Sequence, residues 1–147
     1  MEEKEIITAN IVSRIKEITL IDFEVKTIEE EQLKYLSKDR FVFEQNVELI
    51  VTPQTKEISI SLNIKIFNDE DKSLVVGELK CKGVFEIVNF EDLVKDYNGQ
   101  VPVFALALYI GVLVSTSRGF LILKSQGTLL EGAILPIIDT TQFFKKE

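Results

Sequence analysis

The feature that most constrains the fold is a segment in which apolar and polar residues alternate strictly. Its large aliphatic residues fall at every second position, with small polar or charged side chains between them: Ile58, Ile60, Leu62, Ile64 and Ile66. Because successive side chains of a strand point to opposite faces, this pattern predicts a β-strand with one face on a core and the other toward water.

Two flanking segments repeat the pattern. The preceding segment places apolar residues at one parity, namely Phe41, Phe43, Val47, Leu49 and Val51. The following segment does the same with Val75, Gly77, Leu79, Cys81, Gly83, Phe85 and Ile87. Turn-forming residues at 52–56 and 68–72 separate the segments. The sequence therefore predicts three consecutive antiparallel strands joined as a meander.

The N-terminal segment, residues 11–25, has the composition of a further strand, but its alternation of apolar and polar residues changes phase. A change of phase inside a long strand predicts a β-bulge. The charged run at residues 27–38 predicts a short helix or a loop.

A helix is predicted to begin near Pro102, since proline is tolerated in the first helical turn. The strictly apolar run that follows, residues 103–114, is shorter than the about 20 residues that span a membrane, so we expect a buried helix and no membrane insertion. Gly119 predicts the helix end by C-capping, with Arg118 placed favourably for the helix dipole.

Apolar residues occupy nearly every position of residues 103–114, so this helix is not amphipathic. A helix that is apolar all round must be covered all round. One side can lie on the sheet, but a chain of 147 residues has little left to cover the other. We therefore predict a homo-oligomer in which the same helix of another subunit provides the cover.

Composition narrows the class of protein. The length and the lack of repeats or linkers predict one domain, residues 1–147. The net charge of −7 argues against a nucleic-acid partner, because that affinity comes from clustered Lys and Arg. The first residues lack the basic and apolar regions of a signal peptide. The single cysteine, Cys81, cannot form an intramolecular disulfide. We expect a soluble cytoplasmic protein.

The residues that carry most enzyme chemistry are missing. The sequence has no histidine, which removes Ser–His and Cys–His nucleophiles and the commonest transition-metal ligand. Cys81 has the core-facing parity of its strand and is predicted to be a buried structural thiol. The carboxylate clusters at 29–31 and 69–71 lack calcium-loop spacing and predict solvated turns. We predict no catalytic residue, no metal site and no cofactor, and therefore no enzyme.

The segment between the last strand and the helix, residues 89–100, mixes apolar and acidic side chains. Its apolar residues are Phe90, Leu93, Val94 and Tyr97. One interpretation is an ordinary crossover whose apolar side chains plug the core. The other is the wall of an apolar groove that binds an extended peptide. The residues alone leave both interpretations open.

The order of these segments resembles the SecB-like family of bacterial protein-export chaperones. The similarity rests on Phe23-Glu24 at the end of the first strand, the long strand with Lys82-Gly83-Val84-Phe85, the proline-started apolar helix closing at Ser117-Arg118-Gly119, and Leu135-Pro136-Ile137-Ile138. It spans nearly the whole chain, from about residue 9 to residue 138.

This resemblance implies an α+β fold, a four-stranded antiparallel sheet with a long apolar helix packed on one face, and a homotetramer built as a dimer of dimers. It also implies an ATP-independent chaperone, or holdase, that binds unfolded polypeptide clients during protein export. The peptide-binding residues that it implies are Phe90, Leu93, Val94 and Tyr97. Glu24 and Glu78 would contact the export motor SecA.

The sequence also departs from the family. Leu20 stands where the family surface is acidic, Lys80 and Lys82 share the face of Glu78, the family's C-terminal helix is missing, and residues 123–130 look like an insertion. These departures support a second hypothesis, an adaptor for one specific folded partner, such as an antitoxin-directed SecB-like chaperone. A third hypothesis is a small-ligand binding protein that uses the same crevice.

Overall fold

The computed structural model describes residues 11–30, 41–68 and 74–145. The elements within these ranges are β1 (Ser13–Val25), β2 (Val42–Thr52), β3 (Glu57–Phe67), β4 (Val75–Ile87), α1 (Phe90–Val94), α2 (Val103–Lys124) and a 3-10 helix (Thr140–Phe144). Most of the charged run at 27–38 and of the turn at 68–72 lies outside the described residues.

The four strands form one antiparallel sheet in the order β1-β4-β3-β2, which confirms the predicted meander and places β1 beside β4. The register of β1 against β4 shifts between Ile15 and Glu17 and again between Leu20 and Asp22. The phase change seen in the sequence therefore corresponds to two irregularities of the bulge type. The pairing of β2 with β3 runs from end to end without a shift.

One face of the sheet is the core. The alternating aliphatic residues of β3 are between 0% and 1% exposed, and Leu79 and Phe85 of β4 are equally buried. Helix α2 lies across this face. A Cβ atom on Gly83 would lie 3.3 Å from Cδ1 of Leu113, so the missing side chain lets the helix approach the sheet closely. Burial of each large side chain contributes about 1.5–3 kcal/mol.

Helix α2 begins after Pro102, as predicted, but the predicted end at Gly119 is wrong, because the helix continues to Lys124. The hydroxyl groups that precede Gly119 bond backward along the helix. Thr116 Oγ1 donates to the carbonyl of Val112 at 2.9 Å, and Ser117 Oγ donates to that of Leu113 at 2.8 Å. Such bonds allow Ser and Thr to stay inside a helix.

At 22 residues, α2 is long and apolar enough to cross a membrane by length and composition alone. Its inner face is nevertheless used in packing: Ala105, Tyr109, Ile110, Leu113 and Leu121 are between 0% and 2% exposed. This agrees with a core helix on one face of the sheet.

The last part of the chain, residues 133–145, runs back along α2, and we call it the C-terminal strap. Arg118 donates from Nε to the carbonyl of Leu135 at 2.6 Å and from Nη2 to that of Pro136 at 2.9 Å. Further along, Thr140 Oγ1 donates to the carbonyl of Ala107 at 2.8 Å. The sequence analysis placed Arg118 at the C-terminal end of α2. In the structure it lies within the helix and fixes the strap to it.

Candidate peptide-binding site

The crossover between β4 and α2 is tied to the start of β1. The amide of Val12 donates to Oδ1 of Asn89 at 2.9 Å, and the amide of Val88 donates to the carbonyl of Val12 at 2.7 Å. These bonds place α1 next to the first residues of β1. Val12 itself is 55% exposed and faces the crossover.

A tight turn after α1 brings the chain back toward Pro102. Asn98 and Gly99 both have positive φ, at 55° and 77°, values that Gly and Asn tolerate better than other residues. The amides of Tyr97 and Gly99 both donate to the carbonyl of Val94 at 3.0 Å. The turn leaves the Tyr97 side chain 44% exposed.

The four apolar crossover residues therefore divide into two groups. Phe90, Leu93 and Val94 are between 6% and 9% exposed and belong to the core. Tyr97 points outward. Both interpretations of this segment thus apply, each to different residues: the crossover plugs the core with α1 and presents an aromatic ring from the turn that follows.

Tyr97 is joined by a residue that the sequence analysis missed. Phe104, in the first turn of α2, is 52% exposed, and its ring centroid lies 5.9 Å from that of Tyr97 in an edge-to-face arrangement. The apolar run at 103–114 concealed Phe104, because every position in it looked alike. Its position two residues after the predicted helix start at Pro102, less than one turn in, was the available signal.

This aromatic pair lines a cleft of about 550 Å³ between the crossover, the start of β1 and the first turn of α2. The lining residues are Val12, Asn89, Asp92, Leu93, Lys95, Asp96, Tyr97 and Phe104. The apolar side chains of Val12, Leu93, Tyr97 and Phe104 share the lining of the cleft with two carboxylates and one ammonium group, a combination that suits an apolar side chain with a cationic neighbour.

A second, shallower groove of about 640 Å³ begins at Phe104 and continues along the outer face of α2 to Thr140 of the strap. Leu108 lines it and is 51% exposed. Gly111 lines it as well, and a Cβ there would meet nothing closer than Thr140, at 3.8 Å. The two depressions share Phe104 as a lining residue.

No protein-family model matches the sequence, and no curated protein matches it. Among solved structures, the chain is similar to a SecB-like chaperone of Mycobacterium tuberculosis in complex with a ChAD peptide from the HigA1 antitoxin. The match covers 86% of this chain and 89% of that chain, with a TM-score of 0.59 and 11% sequence identity. The chain has a SecB-like fold. At this identity, the similarity concerns the fold alone.

The SecB-like sheet leaves its other face uncovered in the described part of the chain, and this face carries Glu24 and Glu78. They lie directly opposite each other on β1 and β4. Lys26 lies 3.0 Å from Glu24, and Lys80 lies 3.9 Å from Glu78, so both carboxylates have cationic neighbours. The surface around this pair is mixed in charge rather than uniformly acidic.

Cys81 lies on the covered face, 1% exposed, with its Sγ 2.8 Å from Oγ of Ser117. Burial raises the pKa of this thiol above its ordinary value, and the Ser117 hydroxyl offsets part of that rise. The residue is thus the buried structural thiol that its parity predicted. Within residues 11–30, 41–68 and 74–145, His, Cys, Asp and Glu form no group of three that could hold a metal ion.

Proposed function

We propose that this protein is a SecB-like chaperone that holds extended, non-native polypeptide without ATP, in the cytoplasm and without catalytic chemistry. The observation that carries the proposal is the half-exposed pair of Tyr97 and Phe104 at the cleft of about 550 Å³. Its fold is similar to that of a chaperone solved with a bound peptide, which supports a peptide or protein partner here.

The cleft determines the chemistry of the client. One large apolar side chain packed against the Tyr97–Phe104 pair would contribute about 1.5–3 kcal/mol before the cost of ordering the peptide. Asp92 and Asp96 at the rim favour a basic residue next to it. We therefore propose client segments that combine aromatic or aliphatic side chains with Lys or Arg. Of the residues implied by the family resemblance, Leu93 and Tyr97 line the cleft and would touch the client, while Phe90 and Val94 would support the crossover from the core.

A homo-oligomer remains part of the proposal. The outer face of α2 exposes Leu108 at 51% and Ile122 at 44%, and a second copy of α2 would cover both. The dimer of dimers, and a contact of Glu24 and Glu78 with SecA, stay predictions from the family resemblance. A mass of one chain, measured by multi-angle light scattering, would contradict the oligomer.

The test is suppression of aggregation of a chemically unfolded protein in the absence of ATP. We expect suppression at near-stoichiometric amounts, and about tenfold more of the double variant Tyr97→Ser with Phe104→Ser should be needed. The matched control is Leu123→Ser with Ile134→Ser, which removes two apolar side chains of 64% and 60% exposure away from the cleft.

An equal loss of aggregation suppression in both double variants would mean that general surface hydrophobicity, rather than the cleft, holds the client. Full activity in a folded Tyr97→Ser, Phe104→Ser variant would remove the cleft from the proposal. Circular dichroism and thermal melting would establish that each variant is folded.

A second candidate is an adaptor dedicated to one partner, and the antitoxin peptide in the similar structure favours it. An adaptor would leave the aggregation of unrelated proteins unchanged and would bind its partner in a salt-sensitive way. Holdase binding depends mainly on apolar content and should change little with salt.

A further inference from the structure

The uncovered face of the sheet is a regular array of side chains. The register places them in rows that cross β1, β4, β3 and β2 in that order. Three neighbouring rows are Glu24, Glu78, Lys65 and Glu44; then Asp22, Lys80, Asn63 and Asn46; then Thr19, Lys82, Ser61 and Glu48. In the last two rows, short side chains on β3 lie beside long lysines on β4. A trough therefore runs along β3.

The bulge in β1 adds an apolar wall to this trough. Leu20 pairs with Cys81 and Asp22 with Lys80, so Ile21 is the extra residue of the bulge. Its side chain is 57% exposed and lines a cleft of about 480 Å³ with Lys80 and Lys82. Bulges re-aim a side chain out of the regular alternation. The irregularity of β1 thus places an isoleucine beside two lysines.

The two lysines have carboxylate neighbours, with Asp22 opposite Lys80 and Glu48 in the row of Lys82, but they form few close ion pairs. Lys82 makes no ion pair with any residue of the described ranges. Lys80 lies 3.9 Å from Glu78, near the limit for an ion pair, and its side chain is 49% exposed. Because they are two positions apart on one strand, their backbones are separated by about 6.7 Å. Carboxylates at positions i and i+2 of an extended peptide have the same spacing.

We propose that this cleft binds a partner protein through an extended segment with carboxylates at positions i and i+2 and an apolar side chain nearby. The carboxylates pair with Lys80 and Lys82, and the apolar side chain lies on Ile21. A nucleic acid fits less well, because two lysines beside Glu48 and Glu78 provide too few phosphate contacts for a chain of net charge −7. The site lies on the opposite face from the core and α2 and has the opposite charge preference to the crossover cleft.

The probe is a short fluorescent peptide in which glutamate alternates with leucine, followed by fluorescence anisotropy. We expect Lys80→Gln with Lys82→Gln to weaken its binding about fivefold to tenfold, as two exposed ion pairs would. The matched control, Lys26→Gln with Lys65→Gln, removes two charges from the same face outside the cleft and should change binding less than about twofold. Ile21→Ala should weaken binding by a smaller factor than the lysine pair.

Several outcomes would overturn the proposal. These are failure of the peptide to bind, equal weakening by the control pair, equal binding of a peptide with lysine in place of glutamate, and tighter binding of a single-stranded oligonucleotide by the same lysines. A change in the mass of the assembly in Lys80→Gln, Lys82→Gln would show that a second copy occupies the cleft. The Tyr97→Ser, Phe104→Ser variant should bind the acidic peptide normally, so this site can fail or succeed independently of the crossover cleft.

Discussion

The two faces of the sheet are made from the same four strands, yet one is closed and the other open. On the closed face, Ile58, Ile60 and Ile64 are fully buried under α2. On the open face, Ile21 and Ile50 are 57% and 65% exposed among polar side chains. The same kind of residue therefore has a packing role on one face and remains available for contact on the other.

This difference separates stability from binding. Substitutions on the closed face leave cavities or clashes in a close-packed interior, whereas those on the open face change only exposed contacts. Both candidate clefts avoid the interior: one lies at the edge where the crossover meets α2, and the other lies on the open face. Binding variants can thus be made without unfolding the protein.

The largest expected effect on the free energy of unfolding comes from one substitution on the closed face. Phe85 is 1% exposed and its ring centroid lies 5.0 Å from that of Tyr109 on α2. We expect Phe85→Ala to lower the free energy of unfolding by about 3–5 kcal/mol. Its neighbour Val84 points to the open face, so Val84→Ala should cost less than about 1 kcal/mol. Urea denaturation would measure the free energy of unfolding of both variants. Similar losses in the two would contradict the difference between the faces.

A smaller effect concerns two glycines. A Cβ on Gly83, on the closed face, would lie 2.8 Å from Cε2 of Phe85, whereas one on Gly119, on the open side of α2, would meet nothing within 4 Å. Gly83→Ala should therefore destabilise the protein by about 1–3 kcal/mol through overpacking. Gly119→Ala should stabilise it by about 0.5–1 kcal/mol through helix propensity. Thermal melting that shifts both variants in the same direction would refute the distinction.

The smallest effect is the dependence of stability on alkaline pH. Burial raises the pKa of the Cys81 thiol above its ordinary value of 9.0. The folded protein keeps the thiol proton at pH values where the unfolded chain has released it, so stability falls as the pH rises above about 9. The loss is at most about 1.4 kcal/mol per pH unit for one group.

Cys81→Ala should flatten this alkaline decline, as measured by urea denaturation across roughly pH 8 to 10. The pKa of Tyr109 is also raised by burial, which adds a further decline above pH 10.0 that the variant keeps. Parallel curves for the wild type and Cys81→Ala throughout this range would show that the thiol does not contribute.

The strands could be predicted because a sheet that is buried on one face has an apolar residue at every second position of its strands. The alternation of β3 and β4 predicted their faces, and the broken alternation before Val25 predicted a bulge in β1. The end of α2 could not be predicted, because Ser117 and Gly119 favour termination locally. Their effect is overridden by packing further on, where Leu121 is fully buried.

The crossover was ambiguous for a different reason. Five helical residues are too few for a 3.6-residue periodicity to show which side is buried, so Phe90 and Tyr97 looked equivalent. Phe104 was hidden by its uniformly apolar neighbours. Ile21 was visible as part of an extended segment, but the position of the bulge, and therefore its outward direction, depends on the register with β4.

The way in which Arg118 holds the strap has a consequence for how the sequence can vary. Arg118 and Thr140 supply the side chains, but every acceptor they use is a main-chain carbonyl, at Leu135, Pro136 and Ala107. A carbonyl is present whatever the side chain. The residues at the acceptor positions can therefore be substituted, within the limits set by packing, without loss of these hydrogen bonds. The strap stays bound to α2 as long as the two donor residues are kept.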